Sequence, residues 1–405
     1  MRLNPGRYSG EAWAWAGAEG AALALGVASR LRWDLAPDGA AWDAACSAWL
    51  ERLPEPPDAR TAAAPWLWGG RGFFRAAPAA PWAGWPAAEL RLPEHVLVRD
   101  GEGLFALSFV DAPLPEARPF ATPCAATAET APIPAREAWV AHAEAARQAI
   151  LAGACRKLVP ARARRFALPA GARYDLARVW DALAAGPGTR YCLTQGAQAF
   201  VGRTPERLVA VRGERLETVA LAGTAPRDPD PARDRALGAE LLASPKIQDE
   251  HQAVVAGIRQ GLQAAGLDPA PAPAPRLKLL AEAQHVETPL SAPRAGRGLW
   301  ALVAALHPTP ALAGLPQDVA QPWLEAHEPW GRGWFGAPLG WVDRQGDGAA
   351  WVAIRGALLQ RGEAWAYAGA GVVAGSDPAA EWDETELKLT PLTQALAEAC
   401  VEEDL

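Results

Sequence analysis

The stretch YAGAGVVAGSDPAAEWDETELKL, residues 367–389, is the part of the chain around which the rest is interpreted. It opens with small residues, and the bare backbone at Gly369 and Gly371 allows a ligand to approach closely. Asp377 and Pro378 then predict the start of a helix, because aspartate caps a helix N-terminus and proline fits the first helical position. We therefore predict a glycine-rich strand followed by a capped helix.

The predicted helix carries three charged residues on one face, since Glu381, Glu384 and Lys388 are spaced by three and four positions. Two carboxylates and an ammonium beside a glycine-lined strand suit a hard cation together with an anionic ligand. An ordinary capped surface helix with an ion pair also fits, because exposed charge pairs are common. This stretch alone leaves both interpretations open.

The composition indicates a large folded protein. The 405 residues could form one large domain or two to three ordinary ones, and half of them are apolar. The net charge of −7, with no basic cluster interleaved with aromatic residues, argues against a nucleic-acid partner. The apolar run at 21–27 is too short to cross a bilayer, and no signal-peptide pattern opens the chain. We expect a cytoplasmic protein without a membrane partner.

The cysteines support the same compartment. They are scattered and form no CxxC pair, which predicts reduced thiols in a cytoplasm. The five positions are Cys46, Cys124, Cys155, Cys192 and Cys400.

Strand-like and helix-like segments alternate along the chain and predict an α+β fold. Residues 1–120 carry few recognisable motifs, and their tryptophans predict core packing rather than a stacking platform. Residues 121–136 predict a Pro/Ala/Thr linker. The chain ends in a predicted β-meander with strands at 336–342, 349–359 and 363–373, before the helix described above. We expect one large domain over 1–405, with the motif-bearing catalytic part at 137–400.

Three further residues are candidates for chemistry. Lys157 lies among apolar residues on a predicted strand, where loss of water would favour its neutral, basic form; a strand-edge lysine with its head in water is an equal alternative. Glu206 could be a general acid or a turn carboxylate paired with Arg207. Glu250 could be a metal ligand or a solvated helix residue. The histidines show no HxxxH spacing, so a zinc site is not predicted.

These segments occur in one order that resembles the chorismate-utilising enzymes, the family of anthranilate synthase component I, aminodeoxychorismate synthase, salicylate synthase and isochorismate synthase. Nine blocks spread over about 230 residues make the resemblance specific. The blocks are KLVPAR (157–162), GRTPERL (202–208), LAGTAPR (221–227), DEHQAVV (249–255), QHVETP (284–289), LHPTPALAGLP (306–316), RGWFGAPLGW (332–341), VAIRGALL (352–359) and the stretch at 367–389.

The resemblance implies the chorismate-binding fold, with two facing β-sheets and outer helices. It also implies chorismate as the substrate. Water-adding members carry a lysine base where Lys157 stands, and Ala222 replaces the lysine nucleophile of aminodeoxychorismate synthase. The family pattern therefore favours an isochorismate synthase, an isomerase that moves a hydroxyl from ring carbon C4 to C2. A salicylate synthase and a non-catalytic chorismate-binding relative are the alternatives.

The resemblance also assigns site roles. Lys157 is implied as the base and Glu206 as the acid. Glu250 and Glu384, with Glu381 directly or through water, are implied as ligands of Mg²⁺. The implied substrate contacts are Arg355 and Lys388, the backbone of Gly369 and Gly371, Gly223 and Thr224, and His285 near the ring.

Four positions depart from the usual family pattern. Pro160 stands where an apolar residue is usual, and Ala225 replaces a frequent arginine. Glu287 brings a charge that could reach the ring or point away, and Phe335 stands where tyrosine is common. None of them touches the implied acid, base or metal ligands. Because water is the expected nucleophile, we expect no amidotransferase subunit. The protein is expected to be a monomer or homodimer that serves menaquinone or siderophore biosynthesis.

Overall fold

The computed structural model describes residues 3–279 and 283–402, except the side chains of Lys246 and Glu250. The helices are α1 Gly39–Leu50, α2 Ala59–Ala62, α3 Arg136–Leu151, α4 Leu176–Ala182, α5 Pro231–Ala243, α6 Pro245–Ala264, α7 Leu299–Leu306, α8 Gln317–His327 and α9 Pro378–Ala397. The strands are β1 Ala12–Gly17, β2 Gly20–Leu25, β3 Ser29–Trp33, β4 Leu67–Arg71, β5 Ala88–Leu92, β6 His95–Asp100, β7 Gly103–Ser108, β8 Glu129–Ile133, β9 Lys157–Leu158, β10 Ala161–Ala167, β11 Ala172–Tyr174, β12 Thr189–Gln195, β13 Gln198–Thr204, β14 Arg207–Arg212, β15 Arg215–Pro226, β16 Arg276–Leu279, β17 Ala283–Pro293, β18 Gly314–Leu315, β19 Pro338–Val342, β20 Gly348–Val352, β21 Gly356–Gln360, β22 Glu363–Gly369 and β23 Cys400–Glu402.

Most of these strands form two large antiparallel sheets. Sheet A has the order β7-β6-β2-β1-β12-β13-β21-β22-β10-β8, and sheet B has the order β16-β17-β15-β14-β20-β19-β4-β5-β3. One hydrophobic core contains side chains from both, for example Trp13 and Phe200 of sheet A with Leu90 and Leu216 of sheet B. The predicted α+β fold with two sheets is confirmed.

The N-terminal part of the chain contributes to both sheets. In sheet A, β1 pairs with β12 and places Trp13 opposite Leu193. In sheet B, β4 pairs with β19 and places Gly69 opposite Gly340. Residues 12–108 therefore extend one end of each sheet, beyond β12 in sheet A and beyond β19 in sheet B.

Tryptophans fill the space where the sheets and helices meet, as predicted. Trp42 of α1 stacks on Trp300 of α7 with ring centroids 4.5 Å apart, and both side chains are buried. The indole N–H of Trp82 donates to the hydroxyl of Tyr367 at 2.8 Å. Such large rings bury much apolar surface, and a buried indole N–H benefits from an acceptor of this kind.

The strand predicted at 349–359 is wrong in one respect that affects the site. It is two strands, β20 in sheet B and β21 in sheet A, joined by residues 353–355. Arg355 lies in this crossing with φ of +54°, a backbone conformation that is unfavourable for residues other than glycine. Both halves are apolar and buried, so the pattern of residues alone does not reveal where the chain changes sheet.

Two further predictions are corrected by long-range contacts. The predicted linker at 121–136 contains β8, which pairs with β10 at the edge of sheet A. Cys124 and Cys400 were predicted as reduced thiols, but they form a disulfide, and the backbone N–H of Cys124 also donates to the carbonyl of Cys400 at 3.0 Å. The two cysteines are 276 residues apart in sequence, so their spacing gave no sign of this contact. Among the described residues, none of the helices has the length and apolar character needed to cross a membrane.

Candidate active site

A cleft lined by residues of both sheets and of α9 brings together most of the predicted site residues. It encloses about 940 Å³ of empty space, open solvent included. Ten of the twelve predicted residues line it: Lys157, Glu206, Gly223, Thr224, His285, Arg355, Gly369, Gly371, Glu384 and Lys388. The other two are Glu381, which the structure places on α9 but not in this lining, and Glu250, whose side chain lies outside the described part of the chain.

Lys157 is buried on the short strand β9, which pairs with β18. A Cβ on Gly314 of β18 would lie 2.1 Å from the carbonyl oxygen of Lys157, so this pairing requires glycine there. On the other side, Leu158 and Val372 exchange backbone hydrogen bonds at 2.7 and 3.1 Å. Pro160 separates β9 from β10; it has no N–H to donate, but its carbonyl accepts the backbone N–H of Ala370 at 3.1 Å. These contacts fix the backbone from which the Lys157 side chain enters the cleft.

A buried ion pair beside this strand was not predicted. Arg332 donates to both carboxylate oxygens of Glu328, at 2.5 and 2.6 Å, and also to the carbonyl of Leu312 at 3.1 Å. Glu328 in turn accepts the backbone N–H of Ala161 at 2.8 Å. The pair therefore connects β10 to the end of α8 and to the loop before β18. Glu328 and Arg332 follow α8 in a non-helical segment, so the helical i,i+4 rule does not account for this pair and the sequence carried no clear signal of it.

Glu206 lies in the turn between β13 and β14. Its backbone N–H donates to the Thr204 hydroxyl at 3.1 Å, and its side chain is buried. Burial raises the pKa of the Glu206 carboxyl to about 7, although the Lys278 and Lys157 ammonium groups oppose the rise. The alternative of a turn carboxylate paired with Arg207 is wrong, because Arg207 contacts Glu19 and Glu217 instead. Glu206 therefore has a substantial protonated fraction near neutral pH.

His285 and Thr224 face each other on the paired strands β17 and β15. The Thr224 hydroxyl lies 3.0 Å from Nδ1 of His285. Burial, with the nearby cations Arg355, Lys388 and Lys278, lowers the pKa of His285 to about 4, while a backbone hydrogen bond to Gly223 opposes the shift. The imidazole is therefore neutral at physiological pH.

Gly223 lies at an irregularity in the ladder between β15 and β17. The register shifts between Ala222 and Thr224, and Gly223 has φ of +80°. A Cβ at this position would approach Cγ2 of Ile247 to 2.5 Å. The position therefore favours glycine both for its backbone conformation and for its close contact with α6.

The predicted cap and charged face of α9 are present. The Asp377 side chain accepts the backbone N–H of Ala379 at 2.9 Å, and Pro378 opens the helix. Lys388 donates to the carbonyl of Gly369 at 2.8 Å and also to the carboxylate of Glu384. This contact ties the glycine-rich end of β22 to the helix. The interpretation as a purely exposed surface helix is therefore wrong, since Glu384 and Lys388 line the cleft.

The carboxylates on α9 and α6 have the chemistry of a Mg²⁺ site, because oxygen donors with negative charge suit this hard cation. The Glu384 side chain is 41% exposed. Burial alone would raise its pKa, but Lys388, Arg355 and Lys157 outweigh burial and leave the pKa lowered, so the group is an anion at neutral pH. Within residues 3–279 and 283–402, excluding the two undescribed side chains, no three His, Cys, Asp or Glu residues converge closely enough to hold a metal.

Two departures from the family pattern are explained by contacts. Phe335 lines the cleft and stacks on Tyr367, with ring centroids 5.4 Å apart and planes inclined by 21°. Glu287 is not among the described residues that line the cleft. Its carboxylate contacts Arg276 at 2.9 Å and Lys278 at 3.6 Å. The charge of Glu287 therefore points away from the cleft.

Comparison with known proteins places this geometry in a family. A family model described as "Chorismate binding enzyme" matches residues 112–397. A salicylate biosynthesis isochorismate synthase of Pseudomonas aeruginosa is 44% identical over 208 residues, which are 51% of this chain and 44% of that protein. The isochorismate synthase MenF of Escherichia coli K12 is 35% identical over 276 residues, 65% of this chain and 61% of that protein. The matched part spans about half the length of the curated relatives.

Solved structures extend the likeness to nearly the whole chain. The menaquinone-specific isochorismate synthase MenF of Escherichia coli aligns with a TM-score of 0.81 at 25% identity, covering 98% of this chain and 90% of that one. A putative 2,3-dihydroxybenzoate-specific isochorismate synthase, DhbC, of Bacillus anthracis gives a TM-score of 0.77 at 26% identity, covering 95% and 96%. Anthranilate synthase component I of Streptococcus pneumoniae, at 17% identity and a TM-score of 0.75 over 93% and 92%, shares the fold.

Proposed function

The chain belongs to the chorismate-binding enzymes, and from this premise we propose that it is a Mg²⁺-dependent isochorismate synthase. The observation that carries the proposal is the placement of Lys157 and Glu206 on one cleft, with Ala222 in the same lining. Alanine has no nucleophilic side chain, so residue 222 cannot attack the ring, and water is the proposed nucleophile. Isochorismate synthases among the relatives support the same activity.

In the proposed reaction the base and the acid act on different oxygens. Lys157 acts as the base and takes a proton from water as that water attacks ring carbon C2 of chorismate. Protonated Glu206 gives its proton to the C4 hydroxyl, which leaves as water. The pKa of Glu206 near 7 suits this task, because the carboxyl retains a proton near the pH of the cell and still donates it readily. Each turnover consumes one water and releases one.

Cations and backbone groups of the cleft would hold the two carboxylates of chorismate. Arg355 offers a planar fork of donors that matches a carboxylate, and Lys388 adds an ammonium. Gly369 and Gly371 expose backbone beside them, and Gly223 and Thr224, which line the cleft from sheet B, would contact the substrate there. Neutral His285 would lie near the ring. When held by Glu250 and Glu384, with Glu381 directly or through water, Mg²⁺ would neutralise the ring carboxylate.

Product analysis tests the proposed function. Purified protein, chorismate and Mg²⁺ are incubated, and the products are separated by chromatography. Isochorismate as the sole product supports the proposal. Salicylate with pyruvate would replace it with a salicylate synthase, anthranilate formed with ammonia would overturn the role of Lys157, and chorismate binding without turnover would indicate a non-catalytic relative.

A substitution of the base tests the mechanism separately. Lys157→Ala should lower kcat by about 10²–10⁴-fold, the usual contribution of a positioned acid or base. Arg156→Ala is the matched control, because Arg156 is adjacent in sequence but exposed. If Lys157→Ala kept the turnover of the control, the proposed base would be wrong.

We also propose the setting in which the enzyme works. Since water is the nucleophile, the enzyme would need no amidotransferase subunit and would act as a monomer or homodimer in the cytoplasm. Its product would enter menaquinone or siderophore biosynthesis; one structural neighbour is described as menaquinone-specific and another as 2,3-dihydroxybenzoate-specific. Turnover that depends on glutamine and a second subunit would contradict this.

A further inference from the structure

Glu206 lies between two cavities. The active-site cleft is on one side, and a second cavity, which we call the rear cavity, is on the other. The rear cavity encloses about 1080 Å³ of empty space, open solvent included. Both cavities have Pro205, Glu206 and Leu221 in their linings. The rear cavity extends to Ala18 and Glu19, which are exposed, so it reaches the protein surface.

The rear cavity has the polar groups that ordered water requires. Thr204, Glu206 and Lys278 line it, with Arg207 and Glu19 joined by a 3.3 Å ion pair. A cavity of this size with several polar partners can hold water molecules that hydrogen-bond to one another and to the protein. Water can therefore reach the Glu206 carboxyl without passing through the substrate cleft.

Lys278 is the charged group of the rear cavity most closely connected to the acid. Its ammonium donates to the carbonyl of Pro205, the residue before Glu206, at 3.1 Å, and it also lies 3.6 Å from the carboxylate of Glu287. Lys278 is thereby held between β17 and the turn that carries the acid. Two ammonium groups act on the Glu206 carboxyl: Lys278, which lines the rear cavity, and Lys157, which lines the cleft.

The proposed reaction requires that a proton return to Glu206 after each turnover, and the rear cavity can supply it. After each turnover Lys157 carries an extra proton and Glu206 has lost one. While substrate or product fills the cleft, the rear cavity is the path from solvent to Glu206 that the described residues provide. Building on the proposed function, we propose that Glu206 is reprotonated by water in the rear cavity and that Lys278 is the positioning residue of this route.

The proton balance of the proposed step is closed. A rear-cavity water gives one proton to the Glu206 carboxylate, which forms an O–H bond and leaves a hydroxide. The Lys157 ammonium releases one proton to solvent, and that proton neutralises the hydroxide. The route consumes no reductant, oxidant or additional reactant.

Lys278→Met removes the ammonium while keeping an apolar stem of similar length. Arg276→Met is its matched control, because Arg276 is on the same strand and contacts the same Glu287 carboxylate, but does not belong to the described lining of the rear cavity. We expect kcat of Lys278→Met to fall about tenfold with little change in KM, and imidazole buffer to restore it by donating the proton. The high-pH limb of the kcat profile should move upward, because a cation near the acid has been removed.

Ala18→Trp provides a second variant that leaves Lys278 intact and narrows the exposed mouth of the rear cavity. It should also lower kcat without raising KM. Infrared titration of the Glu206 carboxyl in the substrate-free protein gives a measurement that does not require turnover. Its midpoint should rise in Lys278→Met and stay near the wild-type value in Arg276→Met.

The outcomes separate this inference from the function on which it rests. A wild-type protein that makes no isochorismate overturns both. An active wild type with Lys278→Met equal to Arg276→Met in kcat, pH profile and imidazole response overturns only the rear route. The route is also overturned if the Glu206 midpoint shifts in Lys278→Met but kcat is unchanged in both Lys278→Met and Ala18→Trp. The proton would then not return to Glu206 through the rear cavity.

Discussion

Glu206 and Glu384 are the same chemical group in the same cleft, but their surroundings shift their pKa values in opposite directions. Glu206 is buried in a turn, and burial raises its pKa to about 7 against the effect of two lysines. Burial also acts on Glu384, but Lys388, Arg355 and Lys157 outweigh it and lower its pKa. The surroundings of each glutamate, rather than its residue type, therefore determine its role. They make Glu206 suitable as a proton donor and Glu384 suitable as an anionic ligand for a cation.

The largest expected effect concerns the proton donor. Glu206→Gln keeps the shape and removes the acidic proton, so kcat should fall by about 10²–10⁴-fold while KM changes little. Glu217→Gln is the control, because Glu217 is a half-exposed carboxylate on the neighbouring strand β15. Steady-state kinetics with chorismate measures both. If kcat of Glu206→Gln stayed within about threefold of the control, Glu206 would not be the proton donor of the reaction.

The pH dependence of stability should differ in sign between the two glutamates. The folded pKa of Glu206 is raised, so the folded state binds more protons and the contribution of Glu206 to stability is lost as pH rises from about 4.5 to about 7. Glu206→Gln should therefore stabilise the protein by up to about 3 kcal/mol at pH 8, with little effect at pH 4. The folded pKa of Glu384 is lowered, so Glu384→Gln should destabilise at pH 8 and less so at low pH.

Denaturant unfolding at pH 4 and pH 8 measures these free energies of unfolding. If Glu206→Gln and Glu384→Gln changed the free energy of unfolding at pH 8 in the same direction, the pKa values of the two carboxylates would not be shifted in opposite directions.

Metal binding should distinguish the glutamates next. Glu384→Gln should weaken Mg²⁺ binding by at least about tenfold, because the ligand loses its negative charge. Asp383→Asn is the matched control, since Asp383 is the neighbouring exposed carboxylate on α9. Calorimetric titration with Mg²⁺ measures affinity without turnover. Equal affinities for the two variants would remove Glu384 from the proposed metal site.

The smallest expected effect comes from Arg355, which acts on Glu384 in the comparison. Arg355→Gly should raise the pKa of Glu384, because a nearby cation is lost. It should also recover about 1 kcal/mol of backbone strain, since glycine adopts a φ of +54° freely. Infrared titration and thermal unfolding measure the two effects. An unchanged Glu384 midpoint would show that Arg355 does not contribute to the difference.

The local parts of the site could be predicted from the sequence. Asp377, Glu384 and Lys388 lie within one helix, where spacing determines which residues share a face, and the structure brings Glu384 and Lys388 into contact. The order of nine short blocks indicated the fold and the other candidate residues through family resemblance. Spacing and block order are properties of the chain itself, so no knowledge of distant contacts was needed.

The remaining features depend on contacts between distant segments. Glu206 is influenced by Lys278 and Lys157, and neither its burial nor the rear cavity could be inferred from its neighbours in sequence. The same applies to the disulfide between Cys124 and Cys400 and to the crossing at residues 353–355. In each case the deciding energy comes from packing across tens to hundreds of residues, which periodicity does not encode.

Residues 12–108 add strands to one end of both sheets, and this affects where the boundary of the family domain should be drawn. The family model begins at residue 112, but β12 hydrogen-bonds to β1, and β19 hydrogen-bonds to β4. A chain cut at that boundary would leave β12 and β19 as bare sheet edges, each able to recruit a strand from another molecule. We expect such a fragment to aggregate. The segment that matches the family model is therefore shorter than the segment that must fold as one unit.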